Sequence, residues 1–225
     1  MPTIVLIRHG QASFGTDDYD ALSPGGHAQA DAVARELDRD RRPVRRIVSG
    51  SLRRQRETAA PTASMLGLSV EVNSRLDEYD MDEILARHSD SEVRTNARPD
   101  SEQVSSAEFQ RVLEPGMRSW ITAGDASAAA ETWPQFAART RAALTELAAG
   151  LPSGTTALGF TSAGVIAALC VSILEIPGEA VVALNRVAVN GAITVVASGR
   201  SGLSLISFNE HRHLERDPAA TVTLR

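Results

Sequence analysis

The chain starts with a short apolar run that ends at a charged tripeptide. Residues 3–7 read TIVLI and are followed directly by Arg8, His9 and Gly10. A short β-branched run bounded by a charge predicts a buried central strand. Because open α/β sheets bind ligands at the carboxyl ends of their strands, the run places His9 where chemistry is expected. A histidine after a strand is also commonly a structural loop residue, so other motifs must decide between the two interpretations.

Length and composition fit one α/β domain over residues 1–225 with a sizeable core. The chain has 225 residues, of which 43% are hydrophobic and 23% charged, and its formal net charge is −5. This acidic balance argues against nucleic acid as the main partner. One basic cluster, around a predicted loop, is expected to stand free of acidic partners and consists of Arg39, Arg41, Arg42, Arg45 and Arg46.

Cysteine usage and apolar run lengths bear on the cellular compartment. The single cysteine, Cys170, lies in an apolar stretch over residues 166–174 and is expected to be a core residue. One cysteine excludes an internal disulfide framework, which fits a reducing cytoplasm. The first apolar run is too short for a signal segment, and no run reaches the roughly eighteen apolar residues of a membrane span. We therefore expect a soluble cytoplasmic protein without a membrane partner.

The first half of the chain alternates predicted strands and helices. Ser23 and Pro24 form a good N-cap and first helical position for a helix of about four turns. A second strand over residues 46–49, a second helix over 52–66 and a third strand over 69–72 follow. Alternation of this kind predicts a three-layer α/β/α sandwich around a mostly parallel sheet.

The second half contains a polar, weakly periodic region and then further regular elements. Residues 80–131 are expected to form a helical or irregular insertion that covers the site, with short helical patches near 83–85 and 109–113. Beyond them we predict a helix over residues 132–147, a strand over 157–160, a helix over 163–174, and a hairpin of strands over 193–197 and 203–206 that turns at Gly199 and Gly202.

A second arginine-bearing motif follows the second predicted strand. Residues 49–59 read SGSLRRQRETA and open the second helix. Backbone N–H groups at a helix start favour an anion. Arginine adds a planar bidentate donor that matches phosphate and keeps its charge. The two sheet-end motifs together predict a phosphate site.

With these motifs the chain resembles the histidine phosphatase superfamily, which has the phosphoglycerate mutase-like fold. The resemblance covers most of the sequence and rests on four matches in order. They are RHG at residues 8–10, extended by Gln11; LSPGGHAQA at 22–30, similar to LTxxGxxQA; LRRQRETA at 52–59, matching LxRxxxTA; and LDE at 76–78, matching LxE.

The resemblance implies a role for each matched side chain. His9 is the implied nucleophile, which forms a phosphohistidine, and Arg8 and Arg54 are the implied phosphate-binding residues. Glu78 is the implied proton donor and later base. No metal or other cofactor is expected, because the arginines supply positive charge. The alternatives without a catalytic role are surface ion pairs for Arg8 and Arg54, and a solvated acid for Glu78 within the acidic run 77–83.

One position departs from the family pattern. Where the family has a second histidine in an SHGG motif, residues 160–166 read FTSAGVI and Ser162 stands at the histidine position. Loss of one preorganised donor costs roughly 3 to 4 kcal/mol of transition-state stabilisation. Ser162 is nevertheless a predicted phosphate-binding residue through its hydroxyl, beside a helix N-terminus. We expect phosphate binding to survive better than turnover.

Two alternatives address the missing histidine. His211 or His213, in the tail FNEHRHL, is a candidate to enter the pocket, although this tail is itself family-like and expected to be structural. Ser162 as a nucleophile of the GxSxG type is rejected, because Phe160 occupies the first glycine position.

The loop after the signature bears on the type of reaction. Residues 12–16 read ASFGT and lack the asparagine of phosphoglycerate-type members, which favours a phosphatase over a mutase. Gln11 and Ser13 remain candidate substrate contacts.

The sequence thus predicts a metal-independent phosphatase that acts through phosphohistidine on a small phosphorylated metabolite or a phosphoprotein. The alternatives are a catalytically impaired phosphate-binding module and, third, a phosphoglycerate-type mutase. The expected partner is the phosphorylated substrate or inorganic phosphate. The substrate identity and the oligomeric state, including a dimer, are left open.

Overall fold

The computed structural model describes residues 1–13, 20–40, 42–89 and 106–224, with the backbone alone over 106–112. Its strands are β1 (Thr3–Arg8), β2 (Val44–Ser49), β3 (Val70–Val72), β4 (Thr156–Thr161), β5 (Ile193–Gly199) and β6 (Gly202–Glu210). Its helices are α1 (Pro24–Arg39), α2 (Arg53–Leu66), α3 (Met81–His88), α4 (Ser106–Ala123), α5 (Trp133–Ala148), α6 (Ala163–Leu174), α7 (Ala180–Val187) and α8 (Arg212–Glu215), with short 3₁₀ turns at Ser74–Leu76 and Gly124–Ala126.

The strands form one mixed sheet in the order β3-β2-β4-β1-β5-β6. The strands β3, β2, β4 and β1 are parallel, and β5 and β6 join the β1 edge antiparallel. The register aligns Arg8 with Thr161, so the carboxyl ends of β1 and β4 lie side by side. His9 and Ser162, one residue further along each strand, therefore meet at the same sheet edge.

The central strand is buried on both faces, as its continuous apolar run predicts. Ile4 and Leu6 belong to one core cluster, which α5 and α6 also supply, whereas Val5 and Ile7 belong to a second cluster with residues of α1 and α2. Side chains that alternate between two helix-covered faces make the predicted α/β sandwich.

Local signals set the ends of the helices that frame the site. At the start of α1, Gly26 N donates to the Ser23 hydroxyl at 3.1 Å, which confirms the predicted N-cap. Helix α2 ends at Gly67, whose φ of +63° is a conformation that glycine adopts without steric cost. The predicted hairpin is also confirmed, since Gly199 pairs with Gly202 next to the turn.

Three expectations need correction. The patch near residues 109–113 belongs to the long helix α4. The sequence did not predict α7 and α8. Helix α7 is short and directly follows a turn that contains a proline and a glycine. The basic cluster is not free of acids. Its described ion pairs are Arg39 with Glu36, Arg42 with Asp40, and Arg46 with Glu71, while residue 41 lies outside the described residues.

Two further observations concern the core and the helices. Cys170 is buried in α6, and this burial raises the pKa of its thiol to about 12, as expected of a core cysteine. Within the described residues, no helix combines the length and apolarity that a bilayer crossing requires.

Candidate active site

Backbone hydrogen bonds hold His9 at the sheet edge. Its N–H donates to Thr161 O at 2.9 Å, and its carbonyl accepts from Gly191 N at 3.2 Å and from Asn190 Nδ2 at 3.3 Å. The residue is 8% exposed. These hydrogen bonds fix the backbone of His9. Only a small part of the residue is exposed to solvent.

The ring of His9 has a defined tautomer when it is neutral. Its Nδ1 lies 2.7 Å from Gly10 O, and because a carbonyl only accepts, the proton must be on Nδ1. The lone pair is then on Nε2. Arg54 Nε donates to this Nε2 at 3.3 Å. The structure therefore brings together a histidine lone pair and a guanidinium, the pair that the sequence predicted from separate motifs.

Arg54 is fixed by the first turn of α2 and by an acid that sequence reasoning missed. Its guanidinium donates to Asp20 Oδ1 at 2.6 Å, and the Arg53 backbone N–H donates to Asp20 Oδ2 at 2.7 Å. Asp20 thus occupies a guanidinium edge and a helix N-terminus, both of which attract anions. The only sequence signal was an acid shortly before α1.

Thr58 connects the two arginine-bearing motifs. Its hydroxyl donates to Arg54 O at 2.7 Å and accepts from Gly10 N at 3.0 Å. The threonine of the LxRxxxTA pattern therefore ties the first turn of α2 to the loop after β1. This contact explains physically why the two motifs converge at one site.

Arg8 is buried at the end of β1 and is not a surface ion pair. Its side chain is 3% exposed, and its guanidinium donates to Ala188 O, just after α7. A buried guanidinium held by a carbonyl keeps its positive charge at this sheet edge. Direct contact of Arg8 with a phosphoryl group stays a prediction.

Glu78 is held at the N-terminus of α6 and is not one of the solvated acids. Its Oε2 accepts from Gly164 N at 3.0 Å, and its Oε1 accepts from Tyr79 N at 3.4 Å. A Cβ atom on residue 164 would lie 2.3 Å from Glu78 Oε1, so the close approach requires glycine. The helix N-terminus also favours a carboxylate electrostatically.

Ser162 is fully buried at the N-cap of α6, but its hydroxyl does not cap the helix. Its Oγ instead accepts from Gln55 Nε2 at 2.8 Å. Gln55, also fully buried, was not singled out from the sequence. Its signal was a polar residue on the buried stripe of α2, at helical spacing from Ala59 and Thr62.

The geometry agrees with the sequence comparison. The model of the histidine phosphatase superfamily (branch 1) matches residues 4–211 of the chain. The chain belongs to the histidine phosphatase superfamily. A comparison with curated proteins gives no match.

Solved structures of phosphatases resemble this superfamily member over nearly its full length. A mycobacterial glucosyl-3-phosphoglycerate phosphatase is 26% identical, with a TM-score of 0.64 over 92% of this chain and 98% of that one. Its complex with inorganic phosphate is 25% identical, with a TM-score of 0.65 over 94% and 98%. The fold is also shared with an Entamoeba histolytica phosphoserine phosphatase, which is 18% identical, with a TM-score of 0.68 over 95% and 100%.

In this superfamily member Gln11 supports the start of α1. The Ser23 hydroxyl donates to Gln11 Oε1 at 3.1 Å, and Gln11 N donates to Gln29 Oε1 at 2.8 Å. Ser13 N donates to Ala21 O at 2.8 Å. Residues 14–19, between these contacts and Asp20, lie outside the described residues. Substrate contacts by Gln11 and Ser13 therefore stay predictions.

The C-terminal histidines are engaged away from Ser162. His213 is buried, its Nε2 donates to Gly191 O at 3.0 Å, and burial lowers its pKa. His211 Nδ1 donates to Asn209 O at 2.7 Å. Since Gly191 N also donates to His9 O, His213 supports the turn that holds His9. Neither histidine replaces the missing one in this structure.

Among the described residues, the charged side chains at this sheet edge include Arg8, Arg54, Asp20 and Glu78. Among residues 1–13, 20–40, 42–89 and 106–224, no group of three or more histidine, cysteine or acidic side chains is placed to hold a metal ion.

Proposed function

We propose that this protein hydrolyses phosphomonoesters through a phosphohistidine intermediate at His9, without a metal ion. The observation that carries the proposal is the His9 Nε2 lone pair facing the Arg54 guanidinium at 3.3 Å from Nε. A phosphoryl group bound to Arg54 lies within reach of a nucleophile that needs no deprotonation. Imidazole with an ordinary pKa near 6.5 is mostly neutral at physiological pH.

In the first step, His9 Nε2 attacks phosphorus and the bond from phosphorus to the ester oxygen breaks. Arg54 and Arg8 offset the charge on the transferring phosphoryl oxygens. Glu78, in its protonated form, gives its proton to the leaving oxygen. The carboxyl group is already oriented for this role by Gly164 N and Tyr79 N.

In the second step, water attacks the phosphohistidine. Glu78, now a carboxylate, removes a proton from that water while the phosphorus–nitrogen bond breaks. Inorganic phosphate leaves, Glu78 is protonated again, and His9 recovers its lone pair. One carboxyl group therefore serves both half-reactions, and no further acid or base is needed.

The proposed substrates are small phosphorylated metabolites or a phosphoprotein. Support comes from the similar mycobacterial enzyme, which is named as a glucosyl-3-phosphoglycerate phosphatase and has structures with inorganic phosphate and with vanadate. We propose a cytoplasmic location because of the single cysteine.

A second candidate function is phosphate binding with little turnover. One observation favours it: Ser162 stands where the family has a histidine. A binding module keeps His9, Arg8 and Arg54 but lacks one donor for the transition state.

The deciding experiment is hydrolysis of p-nitrophenyl phosphate in the presence of a chelator, from about pH 4 to about pH 8. We expect turnover by the native protein and a loss of at least about 10⁴-fold in His9→Ala, because a nucleophile is removed. His27→Ala is the matched control, since His27 is an exposed histidine on α1. Turnover that persists in His9→Ala contradicts the mechanism. Phosphate binding without turnover by the native protein supports the binding module.

A further inference from the structure

The hydrogen bonds of Gln55 determine the orientation of its amide. Nε2 lies 3.1 Å from Leu76 O, and Oε1 lies 3.3 Å from Leu52 N. A backbone carbonyl only accepts and a backbone N–H only donates, so the nitrogen and oxygen of this amide cannot be exchanged. The remaining Nε2 hydrogen must then donate to Ser162 Oγ, at 2.8 Å.

This donation determines the role of the Ser162 hydroxyl. Its oxygen accepts from Gln55, and the hydroxyl makes no helix-capping hydrogen bond. Among the described residues its proton meets no protein acceptor at hydrogen-bonding distance. Burial of a donor without an acceptor is costly, so this hydroxyl is prepared to donate to a ligand oxygen.

The position of Ser162 makes the transferring phosphoryl group the matching acceptor. Thr161 O accepts from His9 N at 2.9 Å. Ser162 is the next residue in the chain after Thr161. Gly164, two residues further on, binds Glu78. Ser162 therefore lies in the chain between a residue that binds the His9 backbone and a residue that binds Glu78, and phosphoryl charge is expected to develop between these two side chains.

Gln55 also contacts the segment that carries Glu78. Leu76 O accepts from Gln55 Nε2 and from Thr161 Oγ1, the latter at 2.6 Å. One buried amide thus bridges the end of β4 and the 3₁₀ turn before Glu78. We propose that Gln55 is a positioning residue that makes Ser162 a neutral phosphoryl donor, and that the pair takes the place of the family's second histidine.

This inference rests on the proposed function, and a double-mutant cycle tests it. The variants are Ser162→Ala, Gln55→Met and the double variant, with kcat and KM measured on p-nitrophenyl phosphate. We expect Ser162→Ala to lower kcat by about 10²-fold with little change in KM, as for loss of one transition-state donor. Gln55→Met should lower kcat by about tenfold alone and by less than about threefold in the Ser162→Ala background.

Thr62→Val is the matched control, because Thr62 is a buried polar residue of α2 whose hydroxyl contacts no partner among the described residues. It should leave kcat unchanged. Gln55→Glu keeps the side-chain shape but accepts the Ser162 proton when ionised. Its kcat relative to the native protein should therefore be lowest near pH 8 and recover toward about pH 5, as its buried carboxyl is protonated. A purely structural role of Gln55 produces the same pH dependence in the Ser162→Ala background, whereas a role through Ser162 does not.

Orthovanadate binding by calorimetry repeats the cycle without turnover. If the native protein is inactive, the proposed function fails, while the vanadate affinities still decide the role of the pair. Native-like kcat in Ser162→Ala, or equal factors for Gln55→Met in both backgrounds, overturns the inference. If Gln55→Met does not fold, Ser162→Ala and the pH profile of Gln55→Glu give the decision.

Discussion

The two halves of the site are built in different ways. The β1 and α2 half carries His9 and Arg54, joined through Thr58, and matches the family motifs at each of these positions. In the other half, Ser162 follows β4, and Glu78, from the segment after the 3₁₀ turn, accepts from Gly164 N at the start of α6. Here a serine stands at the position of the family's second histidine, and a neutral amide, Gln55, contacts it. The comparison teaches that one strand end can keep the family's residues while the neighbouring strand end departs from them.

Of the changes that compare the two halves, the one with the largest expected effect tests Glu78 as the proposed acid. Gly164→Ala places a Cβ atom 2.3 Å from Glu78 Oε1 and 2.4 Å from Tyr79 Cε1, so the carboxyl group must move. We expect kcat to fall by about 10³-fold, within the range for general acid catalysis, while vanadate affinity changes little. Unchanged kcat would show that Glu78 is not the proton donor. Ala163→Gly is the control at the neighbouring position.

The next prediction tests whether a histidine at residue 162, as in the family pattern, is compatible with the second half of the site. In Ser162→His, an imidazole must fit where Gln55 lies 2.8 Å from the Ser162 hydroxyl and both residues are fully buried. Overpacking of this kind costs about 1–3 kcal/mol of stability. We expect lower activity and a lower melting temperature, with both partly restored by the added change Gln55→Ala. A gain of activity in Ser162→His alone would instead identify a phosphate binder derived from an enzyme.

A smaller effect concerns the first half, where Asp20 competes with substrate for Arg54. Asp20→Asn removes a carboxylate that accepts from the Arg54 guanidinium and from Arg53 N. We expect the Kd for vanadate and the KM to fall about two- to fivefold, as for loss of a partly exposed ion pair. The exposed Asp31→Asn on α1 is the charge-matched control. Weaker binding in Asp20→Asn would mean that Asp20 orients Arg54 and does not compete for it.

The smallest effect concerns the support behind His9. Burial lowers the pKa of His213 in the folded state below its ordinary value near 6.5. The unfolded chain then binds more protons as pH falls, so the stability contributed by neutral His213 is present above about pH 6.5 and is lost below it. His213→Gln should show a smaller decrease in melting temperature between about pH 7 and pH 5 than the native protein. An identical decrease would exclude His213 as the source.

Sequence reasoning succeeded where the signal is local or repeated along one element. The run at residues 3–7 predicted β1, and Ser23 and Pro24 predicted the start of α1. It failed for α7, because a short helix next to turn residues carries too few periods. It also missed Asp20 and Gln55, whose roles depend on contacts with residues more than thirty positions away.

By itself, the sequence determined the histidine at the end of a strand, the alternation of strands and helices, and the departure from the family motif at Ser162. Each of these features depends only on adjacent or evenly spaced residues. Only the tertiary structure decided that Asp20 meets Arg54, that Gly164 receives Glu78, and that Gln55 donates to Ser162. The physical reason is that hydrogen bonds between elements depend on the register of β1 against β4 and on the packing of α2 against the sheet. Neither is encoded in any single stretch of the chain.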